Sequence, residues 1–137
     1  MLKILITDDS EGWRNFNKDA VSSIFGEDNV DIYLACSGID GYDTLLQNDK
    51  KPFDLIISDL QMESDFAPLS AGEWFISQVK NTRSHFNTKI LIVSGMYNIE
   101  YVADSLGVDF LSKRMLVAGG ELPLKLKLEE MGFELEN

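Results

Sequence analysis

The feature that most constrains this chain is a pattern repeated five times. A short run rich in Ile, Leu and Val ends in polar or charged residues, and a stretch with helical spacing follows. The runs are residues 4–6, closing on Thr7-Asp8-Asp9; 30–35; 53–58, closing on Asp59; 89–93, closing on Ser94-Gly95; and 108–111, closing on Ser112-Lys113. Apolar runs this short, with little alternation, predict strands buried on both faces. Between them Trp13, Phe16, Ala20 and Ile24 fall on one helical period, with Ser10 or Asp9 as cap and Gly26 as stop. Ser37-Gly38 opens a second helix through Tyr42, Leu45 and Leu46, before Lys51-Pro52. Residues 71–80 and 98–106 read as a third and fourth, the latter stopped by Gly107. Pro123 suits the first turn of a last helix over 122–131. Two segments read as irregular: residues 62–71, which contain Pro68, and 115–120, which end in Gly119-Gly120.

Strands alternating with helices predict an α/β protein with a doubly wound, five-stranded parallel sheet, helices on both faces and right-handed crossovers. The flavodoxin-like order 2-1-3-4-5 is the natural five-strand form. Given that order, Asp8-Asp9, Asp59, Ser94 and Lys113 all arrive at the carboxyl edge of the sheet, where ligands bind in such folds. Charged groups leave water reluctantly, so an acid that closes a buried run marks either a solvated strand end or a site that needs it.

Composition narrows the chemistry. The 137 residues are expected to form one domain, 1–137. Asp and Glu outnumber Lys and Arg 23 to 12, a net charge of -11, which argues against direct nucleic-acid contact and suits cations or basic partner surfaces. One cysteine, Cys36, allows no internal disulfide and fits a cytoplasmic setting. No apolar stretch approaches the ~18 residues of a membrane span, and the start, Met1-Leu2-Lys3-Ile4, runs straight into a strand rather than a signal peptide. Three carboxylates with a backbone carbonyl and waters make an oxygen site for a hard cation such as Mg²⁺. A hydroxyl and an ammonium at the same rim can hold phosphoryl oxygens, and a central carboxylate can act as nucleophile and form an aspartyl-phosphate.

The segments Ile6-Thr7-Asp8-Asp9-Ser10, Ile57-Ser58-Asp59-Leu60-Gln61-Met62, Ser94-Gly95 and Phe110-Leu111-Ser112-Lys113 together resemble the receiver (response-regulator) domain of two-component signalling, with the match strongest over residues 1–113. The resemblance implies that Asp59 accepts phosphate from a histidine kinase or phosphotransfer protein. It implies that Asp8, Asp9, Asp59 and the Gln61 backbone carbonyl hold Mg²⁺. It implies that Ser94 and Lys113 bind the phosphoryl oxygens, and that Phe110 and Ser94 form the switch. It implies a phosphorelay component that signals by contact with a downstream protein, without DNA or membrane. Such a protein is not an enzyme beyond slow self-phosphorylation from small phosphodonors and self-dephosphorylation.

Taken singly these positions read more plainly. Asp8-Asp9-Ser10 can be a helix cap, Asp59 a solvated strand end, Ser94 a turn residue, Lys113 a surface lysine and Phe110 a core residue. Their arrival at successive strand ends favours the site. His85 is expected in solvent, Cys36 buried, and Trp13 and Trp74 on helix faces packed against the sheet. Trp13 lies one helical turn past Asp9, so its fluorescence is expected to report a bound ion. The chain departs from the family pattern in four places. Glu63 stands where a proline is usual, residues 63–72 are longer than the usual loop, Arg114 replaces the proline after the lysine, and 114–137 is atypical. With Arg114 present the Lys113–Arg114 bond is expected to be trans. A stand-alone receiver is the expected architecture. Two competing readings are a degenerate receiver that only binds partners and a Mg²⁺-dependent phosphatase-like enzyme with an aspartate nucleophile.

Overall fold

Each apolar run pairs in parallel with its neighbours in a computed structural model that describes residues 1–62 and 70–135. The strands are β1 (Leu2–Thr7), β2 (Val30–Ala35), β3 (Leu55–Ser58), β4 (Lys89–Ser94) and β5 (Asp109–Ser112). The helices are α1 (Glu11–Phe25), α2 (Gly38–Gln47), α3 (Ala71–Asn81), α4 (Ile99–Leu106), α5 (Lys113–Gly119) and α6 (Leu122–Glu130). The sheet order is β2-β1-β3-β4-β5, the flavodoxin-like order.

Side chains alternate across a strand, and this chain fills both faces. Ile4, Ile6, Leu55, Ile57, Leu91 and Val93 point to one side and pack with Val21 and Ile24 of α1, Leu116 of α5, and Leu124 and Leu128 of α6. Leu5, Ile56, Ile90 and Ile92 point to the other and pack with Leu45 of α2, Phe75, Ile76 and Val79 of α3, and Val102 of α4. At about 1.5–3 kcal/mol per fully buried Leu or Ile, these two layers supply the main driving force of folding.

The register positions the strand ends. Thr7 pairs with Ser58, Ser58 with Ile92, and Ser94 with Ser112. The residues that follow Thr7 and Ser58, namely Asp8 and Asp59, therefore lie side by side, and Lys113 follows Ser112 on the same edge. Caps fix where the helices begin. Ser10 Oγ accepts the Trp13 N–H at 3.3 Å, and Ser37 Oγ accepts the Asp40 N–H at 2.9 Å.

Four expectations need correction. Residues 113–119 are helical rather than irregular. Ser112 Oγ accepts the Arg114 N–H at 3.2 Å, Leu116 anchors the turn in the core, and Gly120, at φ +64°, ends it. His85 is not solvated. It is 2% exposed inside a short 3₁₀ turn, its ring 5.7 Å from Phe53, while the neighbouring Phe86 is 82% exposed. Cys36, just past the edge strand β2, is exposed, and its N–H donates to Asp40 Oδ2 at 3.0 Å. Trp74 is exposed on α3, edge-on to Tyr42 with ring centres 5.5 Å apart. The Lys113–Arg114 bond is trans, as Arg114 predicts. Most of the segment read as a long loop, 63–69 with Glu63 and Pro68, lies outside the described residues.

Candidate functional site at the carboxyl edge of the sheet

Asp8 and Asp59 are carried to the edge by β1 and β3, whose mutual hydrogen bonds continue one residue past the strands: the Asp59 N–H donates to the Thr7 carbonyl at 2.9 Å. Their side chains are then oriented locally. Asp8 Oδ1 accepts the Ser10 N–H at 2.9 Å, and Asp59 Oδ1 accepts the Leu60 N–H at 2.7 Å. Each carboxylate thus keeps its Oδ2 for the site. Asp9 completes the acid set: one carboxylate oxygen each from Asp8, Asp9 and Asp59 lies within 4.8 Å of the others.

Lys113 reaches this set from the end of β5. Its Nζ lies 2.9 Å from Asp59 Oδ2 in a hydrogen-bonded ion pair, and 3.0 Å from Asp8 Oδ2. The Asp8 contact is off the direction of a hydrogen bond, so it is charge attraction without alignment, and Asp8 Oδ2 has no other partner among the described residues. Burial pushes the Asp8 carboxyl above its usual pKa and the Asp59 charge adds to this; Lys113 and the Ser10 N–H offset only part. For Lys113 burial acts downward, but the Asp59 charge and hydrogen bond, with the Asp8 charge, outweigh it and hold the ammonium above its ordinary value. The pocket is a negative site with one ammonium pressed into it.

The other predicted residues sit around this centre. Ser94 is buried at the end of β4, where its Oγ accepts the Met96 N–H at 3.2 Å. Gln61 is half-buried two residues beyond Asp59. Phe110 is half-buried in β5 against the α3–α4 side of the core, with Lys127 Nζ 5.6 Å from its ring centre. The structure brings Asp8, Asp9, Asp59 and Lys113 into direct proximity and lays Ser94 and Gln61 along the same edge, while Phe110 lies two residues inside it on β5.

Arg14 and Gly72 went unread in the sequence, and Trp13, expected near the site, was not matched to Lys113. Arg14 Nη1 donates to the Asp8 carbonyl at 2.7 Å and ties the acid loop to α1. Trp13 faces Lys113, whose Nζ lies 5.0 Å from the ring centre. Gly72 lets α3 begin against the backbone that follows β3: a Cβ there would stand 2.2 Å from the Asp59 carbonyl oxygen and 2.5 Å from Leu60 Cα. The Ser10 cap was a usable signal for Arg14 and Trp13, since it aims the first turn of α1 back over Asp8.

Scanned against protein-family models and against curated proteins, the sequence matches none. Solved structures do match. The chemotaxis response regulator CheY4 of Vibrio cholerae aligns over 95% of this chain and 98% of its own, with TM-score 0.71 and 22% identity. This is the receiver-domain fold. The signal receiver domain of a DNA-binding response regulator from Colwellia psychrerythraea aligns over 94% of this chain and 99% of its own (TM-score 0.69, 21% identity). A response regulator receiver domain protein from Clostridium thermocellum aligns over 97% and 100% (0.67, 17%). At these identities the likeness to receivers is one of fold. Among the described residues no helix is long and apolar enough to cross a membrane.

Proposed function

We propose that residues 1–137 form a receiver that works as a phosphoacceptor switch in two-component signalling, with Asp59 taking a phosphoryl group from a histidine kinase or phosphotransfer protein. One observation carries this reading. Three carboxylates converge within 4.8 Å at the sheet edge, and the Lys113 ammonium lies within 3.0 Å of two of them.

In the reaction a carboxylate oxygen of Asp59 forms a bond to phosphorus as the P–N bond of the donor phosphohistidine breaks. The imidazole leaves with the bonding pair and takes a proton from solvent. The Leu60 N–H on Oδ1 fixes the plane of the Asp59 carboxylate, so the nucleophile is oriented before the donor arrives. Lys113 stands beside that carboxylate and offers its charge to the phosphoryl oxygens, and the Ser94 hydroxyl at the neighbouring strand end offers a hydrogen bond.

The donor set fits Mg²⁺: hard carboxylate oxygens, close together, one of them buried with only an ammonium for company. Asp8, Asp9 and Asp59 would hold the ion, together with the Gln61 carbonyl, and when bound it supplies positive charge against the transferring group. Phe110 and Ser94 then relay occupancy of the site to a downstream protein partner. The protein passes on a signal and turns over no external substrate beyond slow self-phosphorylation and self-dephosphorylation.

The test is mass spectrometry after incubation with acetyl phosphate, with Mg²⁺ or EDTA, on wild type and Asp59→Asn. The expected result is one added phosphoryl group on the wild type with Mg²⁺, and none in EDTA or in Asp59→Asn. Uptake that survives Asp59→Asn, or ignores EDTA, refutes the assignment. Steady turnover of small phosphoesters would point instead to an enzyme, and complete failure to take phosphate to a binding module.

A further inference from the structure

Lys113 is enclosed from two sides. On one side stand Asp8 and Asp59, 3.0 and 2.9 Å from its Nζ. On the other lies the indole of Trp13, with the ammonium 5.0 Å from its ring centre. Only 14% of the lysine side chain is exposed. The indole is itself held: Phe16 meets its ring edge-on at 5.5 Å and 70°, and the side chain packs on the α1 side of the core, while the Ser10 Oγ cap takes the Trp13 backbone N–H and fixes the turn that carries it. One short stretch, Asp8 to Trp13, therefore supplies a counter-ion, the helix cap and an aromatic face for the same lysine.

We infer that Trp13 is the positioning residue of Lys113: its indole face roofs the ammonium and keeps it at the acid pair. Lysine carries large rotamer freedom, and two carboxylates open to solvent would hold it loosely. Attraction between an ammonium and the negative face of a ring is strongest for Trp and grows as water is excluded. The roof has two consequences of opposite sign. In the metal-free protein it strengthens an ammonium that competes with a cation for Asp8 and Asp59. In the phosphorylated protein it keeps that ammonium where the phosphoryl oxygens arrive. The second consequence rests on the function proposed above; the first does not.

The opposite signs separate positioning from simple packing. If Trp13 only fills space, replacing it weakens everything the site does. If it positions Lys113, Trp13→Leu, which keeps an apolar side chain but removes the π face, tightens Mg²⁺ binding and weakens phosphate loading. Each change is expected at about three- to tenfold, the scale of a partly desolvated cation–π contact. Trp13→Phe retains a weaker face and falls between Leu and wild type.

The experiment uses the full chain in a Trp74→Phe background, so that Trp13 is the sole tryptophan; Trp74 lies on α3 against Tyr42, outside the site. Three quantities are measured on the Trp13 variants: Mg²⁺ affinity by calorimetry, the acetyl phosphate concentration for half-maximal loading, and melting temperature. Separately, the metal-free emission of Trp13 is compared with and without Lys113→Met. The expected result is a changed emission in Lys113→Met, and for Trp13→Leu tighter Mg²⁺ with poorer loading, partly reversed in Trp13→Phe. An unchanged emission overturns the inference, as does a Trp13→Leu protein whose Mg²⁺ affinity falls or stays the same, or a Phe variant no better than Leu. A wild type that binds Mg²⁺ but takes no phosphate refutes the proposed function, while the emission and Mg²⁺ measurements still decide the role of Trp13.

Discussion

Gly72 offers the sharpest stability test, because its effect follows from distances alone. A methyl group at this position would stand 2.2 Å from the Asp59 carbonyl oxygen, 2.5 Å from Leu60 Cα and 3.0 Å from the Asp59 carbonyl carbon. All three are backbone atoms, so no side-chain rotation relieves the contact. Non-bonded atoms settle near ~3.5 Å, so the start of α3 would have to retreat by about 1 Å. Overpacking of this kind costs about 1–3 kcal/mol. The retreat also stretches the hydrogen bond from the Gly72 N–H to the Leu60 carbonyl, now 3.0 Å, worth roughly another 0.5–1.5 kcal/mol. Against this, Ala is a better helix former than Gly by about 1 kcal/mol. The balance is about 0.5–3.5 kcal/mol of destabilisation, which at roughly 3 °C per kcal/mol for a chain of this size lowers the melting temperature by about 2–10 °C. The assay is thermal unfolding followed by circular dichroism, with denaturant unfolding as a check. Because the displaced backbone carries Asp59, phosphate uptake from acetyl phosphate should slow as well. A Gly72→Ala protein as stable as wild type, or more so, would show that helix propensity dominates and that the close approach is not as described.

Two further outcomes follow from buried charge. Asp8→Asn removes a desolvated charge beside a second one, so the metal-free protein at pH 7 should melt higher than wild type, while losing about tenfold or more of its Mg²⁺ affinity; a lower melting temperature without metal contradicts this, and paired melts with EDTA and with Mg²⁺ decide it. His85 is held below its usual pKa by burial first and by the nearby charge of Lys3, with Asp49 pulling the other way; its Nδ1 meets Ser84 Oγ at 2.9 Å, and its groove also holds Lys80, Lys89 and Asp109. The folded state therefore resists a proton that the unfolded chain accepts, so this contribution is whole above pH 6.5 and is lost as pH falls below it. The drop in melting temperature from pH 7 to pH 5.5 should be smaller in His85→Gln than in wild type, and an equal drop refutes the assignment.

The sheet was legible because its three central strands, β1, β3 and β4, are apolar on both faces, and such runs have few other uses in a chain of this length. The edge was legible for a related reason. Asp8, Asp59, Ser94 and Lys113 each close or follow a strand, and once the order is 2-1-3-4-5 the register leaves them no freedom to be elsewhere. What stayed hidden depends on contacts without periodicity. Residues 113–119 show no helical stripe, since Leu116 alone faces the core while Met115 and Val117 stay exposed; only the Ser112 cap and Gly120 betray the helix. His85 and Phe86 exchange the places that hydropathy assigns them, because the turn that carries them is bound to the sheet through the Thr88 hydroxyl, which donates to the Phe53 carbonyl at 2.6 Å. The Trp13–Lys113 contact joins residues from opposite ends of the chain, and no local pattern announces it.

The helix that begins at Lys113 bears on how the site is coupled to the rest of the molecule. A cation in the first turn of a helix opposes the peptide dipoles, so the position is a poor one for lysine on local grounds. Asp8 and Asp59 offset that cost, which means that the lysine is held by the site rather than by its own helix. The helix in turn is held by Leu116, buried among side chains of α1 and α6, and by the two-residue turn Gly120-Glu121, where Gly119 stands close enough to Pro123 that a Cβ would lie 2.8 Å from its Cγ. Lys113 links Asp59, through the backbone of α5, to the packing of Leu116 and the start of α6. The exposed apolar side chains of that region, Met115, Leu122 and Leu126, lie on the same two helices. The segment read as atypical, 114–137, is thus fastened directly to the lysine that is ion-paired with Asp59.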